Sequence, residues 1–150
     1  MNKLEVILGR VISLENISRE RIKQLRFVVY IIRRLVNKAE IDVETRDLAA
    51  QLAITLFVVW GMVNTTVEPW EKRGYWIKAD RYRMDWSWTR KLGMDLRLAV
   101  LGDDWVRVAQ LIGLIAEKVG DIKLPLRYKP DLSWNGAYQR LVSQPFTDHD

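Results

Sequence analysis

Residues Asp42 to Val63, DVETRDLAAQLAITLFVVWGMV, decide the fold. Asp42 supplies an N-capping carboxylate, and Glu44 and Asp47 fall in the first two turns, where the helix dipole favours acids. Beyond them Leu48, Leu52, Ile54, Leu56, Phe57, Val58, Val59 and Trp60 surround the helical axis on nearly all sides instead of forming one stripe. Such a helix needs neighbours all round. The expected fold is therefore mainly α, a single-domain bundle of about four to five helices with this segment at its centre. The apolar run from Leu48 is interrupted by Gln51 and Thr55 and falls short of the roughly 20 residues that cross a bilayer, so it reads as a buried helix. Asn64, Thr65 and Thr66 are expected to end it, with Pro69 and Gly74 keeping the next stretch irregular.

Before the central segment, Ser18 to Glu40 carries apolar residues at Ile22, Leu25, Val28, Val29, Ile32, Leu35, Val36 and Ala39, the spacing of one helix face. Arg19, Lys23, Arg26, Arg33, Arg34 and Lys38 fall on the opposite face with Tyr30 among them, and only Glu20 and Glu40 supply acid. Phe27 and Ile31 lie at the margin, where a second neighbour or a partner chain would meet them. Met1 to Ser13 repeats the pattern in shorter form and predicts an N-terminal helix; it lacks the organisation of a secretory signal.

After it, Pro69 to Lys91 holds Trp70, Trp76, Trp86, Trp88, Tyr75 and Tyr82 together with seven Lys or Arg. Residues from Arg81 to Trp88 alternate polar and apolar, a strand signal that allows a short hairpin or irregular insert near residues 74–88. Tyr82, Trp86, Leu92, Leu96 and Val100 also share one helical face, and that reading, a helix from about Asp80 to Leu101 with Gly102 as its stop, is preferred. Asp103 or Asp104 caps a further helix that ends at Gly120. Pro125, Pro130, Asn135 and Gly136 then break the pattern, Ala137 to Val142 adds a turn or two, and Gln144 to Asp150 is expected to be a loose tail after a domain spanning residues 1–143.

With 150 residues and 49% hydrophobic content the chain can close one core unaided. It has no cysteine, which excludes disulfides, thiolate nucleophiles and cysteine-ligated metals and is compatible with a cytoplasmic location. The one histidine, His149, stands next to the C-terminus, and no Gly-rich phosphate loop or GxSxG elbow occurs. No catalytic residue, metal ligand or cofactor is assigned. Glu68, Glu71, Asp80 and Asp85 match no metal or acid–base spacing, and read as counter-charges to nearby cations. Asp85 falls toward the Tyr82 and Trp86 side of the helix, where it would need a partner such as Arg81, Arg90 or an indole N–H.

The net charge of +5 is unevenly spread. Lys and Arg outnumber Asp and Glu seven to two in Ser18 to Glu40 and seven to three in Pro69 to Lys91, but are outnumbered one to four in Ile41 to Glu68. Two functions fit. The first is a non-enzymatic adaptor or assembly protein that binds an acidic protein partner, or itself, through Trp70, Lys72, Arg73, Tyr75, Trp76, Lys78 and Trp88, with charge at the rim of the aromatics. The alternative is a nucleic-acid-binding subunit that places Arg19, Lys23, Arg26, Tyr30, Arg33, Arg34 and Lys38 along phosphates and stacks bases on Trp and Tyr, without sequence-specific readout. A membrane surface is a weaker candidate, because the amphipathic helix needs its apolar face for the core. No small-molecule substrate is indicated.

Overall fold

The computed structural model describes residues 14–144, whose helices follow in order: α1 Leu14–Val36, α2 Val43–Lys72, α3 Trp76–Leu101, α4 Trp105–Lys118 and α5 Ala137–Ser143. Among the described residues there is no strand, so the alternation at Arg81 to Trp88 lies within a helix. The helix expected over Met1 to Ser13, His149, and the tail beyond Gln144 lie outside the described residues.

Asp42 starts α2 as the sequence requires: its carboxylate accepts the Thr45 N–H at 2.8 Å and the Thr45 hydroxyl at 2.8 Å. The helix is enclosed along its length. Leu48, Leu52, Leu56, Val59, Met62, Val63 and Val67 are buried, and α2 packs against α1, α3 and α5. By length and composition α2 is apolar enough to cross a membrane, but 72% of its apolar window is buried inside the fold.

The central helix runs past its expected end. Asn64 to Thr66 do not stop it, because Thr65 and Thr66 turn their hydroxyls back onto the carbonyls of Gly61 and Met62, at 3.1 and 2.8 Å, and so stay helical. Pro69 is also inside the helix, in its last turn. The stop comes at Gly74, whose φ of +82° is left-handed. Its N–H reaches the Glu71 carbonyl at 3.0 Å and the Tyr75 N–H reaches the Trp70 carbonyl at 2.8 Å, the double bond pattern of a Schellman ending. Only Arg73 to Tyr75 separate α2 from α3, which begins at Trp76 instead of near Asp80.

The buried face of α1 is rotated from the expected one toward Phe27 and Ile31, which are 2% and 0% exposed. Ile22, Val36 and Ala39, placed on the apolar face by periodicity, are exposed instead. The cause is that α1 has two sets of neighbours, so its buried arc is wider than one stripe. One neighbour is α2; the other is the irregular segment 121–136, which contributes Ile122, Leu124, Leu132 and Trp134 to the edge of the core.

Asp104 caps α4 by accepting the Arg107 N–H at 3.1 Å, and α4 ends at Lys118 with Val119 as its C-cap. Asp103 has a different task. It adopts a left-handed φ of +54° and its carboxylate receives the Trp105 indole N–H.

Candidate functional site: the helical hairpin tip and the basic face of α1

The turn between α2 and α3 is too short to fold side chains inward, and it lies at the end of the two longest helices. Tyr75, Trp76 and Ile77 are consequently 56%, 58% and 71% exposed in succession. Lys72, Arg73 and Lys78 surround them and are exposed too. Neither Lys72 nor Arg73 forms an ion pair among the described residues, whereas Lys78 sets its ammonium 4.2 Å from the Trp70 ring centre.

The other rings of this segment are built into the fold. Trp70 meets Tyr82 edge to face at 5.3 Å, Tyr82 leads to Trp86 at 6.4 Å, and Trp86 stacks on Trp88 at 6.2 Å. Trp86 and Trp88 also pack against the core. Trp70 and Trp88, taken from the sequence as surface anchors, are therefore only half exposed, and the accessible part of the set contracts to Lys72, Arg73, Tyr75, Trp76 and Lys78.

Arg21, to which the sequence reading gave no role, holds this aromatic row to α1. By spacing it belongs to the face of Leu25, Val28 and Ile32, where a charge has no natural place. It is accommodated because its guanidinium lies 5.0 Å from the Trp86 centre and 5.8 Å from that of Tyr82, and donates to the Tyr82 hydroxyl. The signal in the sequence was a cation at i, i+4, i+7 spacing from the core positions.

Arg83 is a second residue missed. Its guanidinium grips Glu71 with both arms, at 3.0 and 2.7 Å, and donates through Nε to Asn64 at 3.1 Å, clamping α3 to the end of α2. The Arg83 contact holds the Glu71 carboxyl below its ordinary range, and Glu71 raises Arg83 in return. Glu71 is thus occupied as a counter-charge. Glu68, Asp80 and Asp85 are exposed, and among the described residues no three acids or histidines gather to hold a metal. Asp85 needs no buried partner, because the helix turns it to solvent.

The basic face of α1 is divided. Lys23 pairs with Asp131 at 3.0 Å, Arg34 with Glu44, and Lys38 with Asp42 at 2.8 Å. Tyr30 packs at a tilt against Tyr128, with ring centres 5.5 Å apart, and against Trp134 at 5.8 Å, and Arg34 lies 5.3 Å from the Trp134 ring centre. Segment 121–136 therefore covers one side of the stripe. Arg19, Arg26 and Arg33 remain exposed, with Arg33 at the border where Leu124 to Leu126 and Tyr128 of the segment approach it. Lys23 and Arg34 face this segment, while Arg21 faces the aromatic row.

The chain matches no protein-family model, no curated protein and no solved structure.

Proposed function

We propose that the protein is a non-enzymatic adaptor or assembly protein that docks an acidic protein partner, or a second copy of itself, on the α2–α3 hairpin tip. The observation that carries this reading is the exposed run Tyr75, Trp76 and Ile77 beside Lys72 and Arg73, which form no ion pair among the described residues. Large rings at the centre of a patch with cations at its rim have the composition of an interface hot spot, and the cations add electrostatic steering toward an acidic surface. Gly74 and the Arg83–Glu71 clamp fix the tip, so little ordering entropy is lost on docking.

A photo-crosslinking residue placed at position 77 tests the reading in the native cell. One acidic protein, or a second copy of the chain, should be captured, and capture should disappear in Arg73→Glu. Labelling spread over many unrelated proteins, or insensitive to Arg73→Glu, contradicts it.

A second reading, nucleic-acid binding by α1, draws support from Lys123, Arg127 and Lys129, which are exposed on the segment alongside the helix and add to Arg26 and Arg33. Anisotropy titrations with single- and double-stranded DNA and RNA at two salt concentrations test it. Binding should weaken steeply with salt and with Arg26→Glu and Arg33→Glu.

A further inference from the structure

Arg33 and Arg34 are neighbours on the last turns of α1 and are used differently. Arg34 is held in place by Glu44, by the Trp134 face and by Tyr30, and the Glu44 contact raises its pKa. Arg33 is exposed and makes no ion pair among the described residues. Between them and segment 121–136 lies a cleft of about 230 Å³, lined by Tyr30, Arg33, Arg34, Asn37, Tyr128 and the apolar run Leu124 to Leu126.

The cleft has two chemically distinct walls. One is cationic: Arg33 offers a planar fork suited to a bidentate oxyanion, and Asn37 uses one amide hydrogen on the Arg33 carbonyl, leaving the other for a ligand. The other wall is apolar, made by the Tyr128 ring and the Leu124, Pro125 and Leu126 side chains. Leu126 is fully exposed, which leaves that wall open to contact.

Acids on the elements around the cleft are engaged, Glu44 with Arg34, Asp42 with Lys38 and Asp131 with Lys23. Outside the lining itself, Arg26, Arg127 and Lys129 are exposed on the two elements that form it and add positive charge with no ion pair among the described residues. A surplus of several charges favours a dianion over a carboxylate. The volume lies below the roughly 300–1,000 Å³ of sites that enclose drug-sized ligands, and suits a phosphate with a small attached group.

We propose that this cleft binds a small phosphate monoester, with its phosphoryl group on Arg33 and Asn37 and its apolar or aromatic portion against Tyr128 and Leu126. The site is separate from the hairpin tip. Its existence does not depend on the docking function proposed there.

Titration of isotopically labelled protein with phenyl phosphate, followed by backbone and arginine side-chain NMR signals, tests the assignment. The expected result is saturable shifts confined to Tyr30 to Asn37 and Leu124 to Tyr128, with a Kd below about 1 mM. Arg33→Gln should weaken binding at least about tenfold, whereas Lys118→Gln, which removes equal charge from α4, should change it less than about twofold. Unchanged signal dispersion verifies that both variants fold. Inorganic phosphate should bind more weakly than phenyl phosphate, because it lacks the group that meets Tyr128. No saturation, equal loss in the two variants, or shifts spread over all exposed cations would overturn the proposal. So would tight binding of a single-stranded RNA oligonucleotide with no response to phenyl phosphate, which would assign these cations to a nucleic-acid backbone instead.

Discussion

Asp47, in the second turn of α2, accepts the backbone N–H of Tyr138 at 3.0 Å with one carboxylate oxygen, and the N–H of Gly136 at 3.1 Å with the other. It is an N-cap supplied from 91 residues away, since α5 has no side-chain cap of its own. One helical turn further on, Gln51 takes part in the same junction: its amide donates to Thr55 at 3.0 Å and accepts from Arg140 at 3.0 Å, so both polar atoms of this buried side chain in the central helix have partners. Asp47→Ala should cost about 1 kcal/mol. The melting temperature should fall by roughly 2–4 °C, and amide exchange should accelerate selectively over Ala137 to Ser143. Asp47→Asn, which keeps one acceptor oxygen, should lose less.

Asp47 also shows where the sequence stops being legible. As a residue in the first turns of a helix it reads as a dipole partner, whereas the contacts its carboxylate makes are to a segment that only the tertiary fold brings near. The same division holds elsewhere. Asp42, Asp104 and the enclosed character of α2 were legible because caps and apolar periodicity are local. The continuation of α2 through Thr65, Thr66 and Pro69 was not, since it depends on hydroxyls bonding back to the preceding turn and on Gly74 supplying the actual stop. Nor could periodicity place Phe27 and Ile31, because it presumes a single buried stripe and α1 has neighbours on two sides. Of the candidate site, the exposed tip was readable from Gly74 and the adjacent aromatics, but the sharing of the basic stripe with segment 121–136 required the fold.

Acid should loosen both ends of α2, at Asp42 and at Glu71. Arg83 keeps Glu71 below its ordinary pKa, and Lys38 with the Thr45 backbone does the same for Asp42. The unfolded chain therefore takes up these protons first as pH falls. Stabilisation from both groups is complete above the ordinary carboxylate range of about 4 to 4.5, and is lost as pH drops through their lowered folded values. Melting curves between pH 7 and pH 2.5 should show this as a steep fall below about pH 4.5. Glu71→Gln should be less stable at pH 7 and lose less on acidification, because it no longer carries that linked proton.

Two helical glycines should respond to alanine with opposite signs. A Cβ at Gly93 would lie 3.0 Å from Phe57 Cε2, 3.1 Å from Phe57 Cδ2 and 3.3 Å from Leu56 Cβ, so the packing of α3 on α2 at this point uses its absence. Gly93→Ala should destabilise by about 1–3 kcal/mol, outweighing the gain in helix propensity. At Gly113 a Cβ meets nothing within 4 Å. Gly113→Ala should stabilise by about 0.5–1 kcal/mol, and thermal melts of the two variants should move apart in opposite directions from the parent.

Tryptophan substitutions should separate the hairpin tip from the core. Trp60 is 9% exposed on α2, whereas Trp76 is 58% exposed at the start of α3, with no ring contact among the described residues. Trp60→Ala should leave a cavity costing about 3–5 kcal/mol, a fall in melting temperature on the order of 10 °C. Trp76→Ser should stay within about 0.5 kcal/mol of the parent, as a surface change that breaks no cap or buried contact. Iodide should quench the fluorescence of the parent more than that of Trp76→Ser, since the variant lacks an accessible indole. A large loss of stability in Trp76→Ser would mean that the tip is packed against another part of the protein, and the surface on which the docking function rests would not exist.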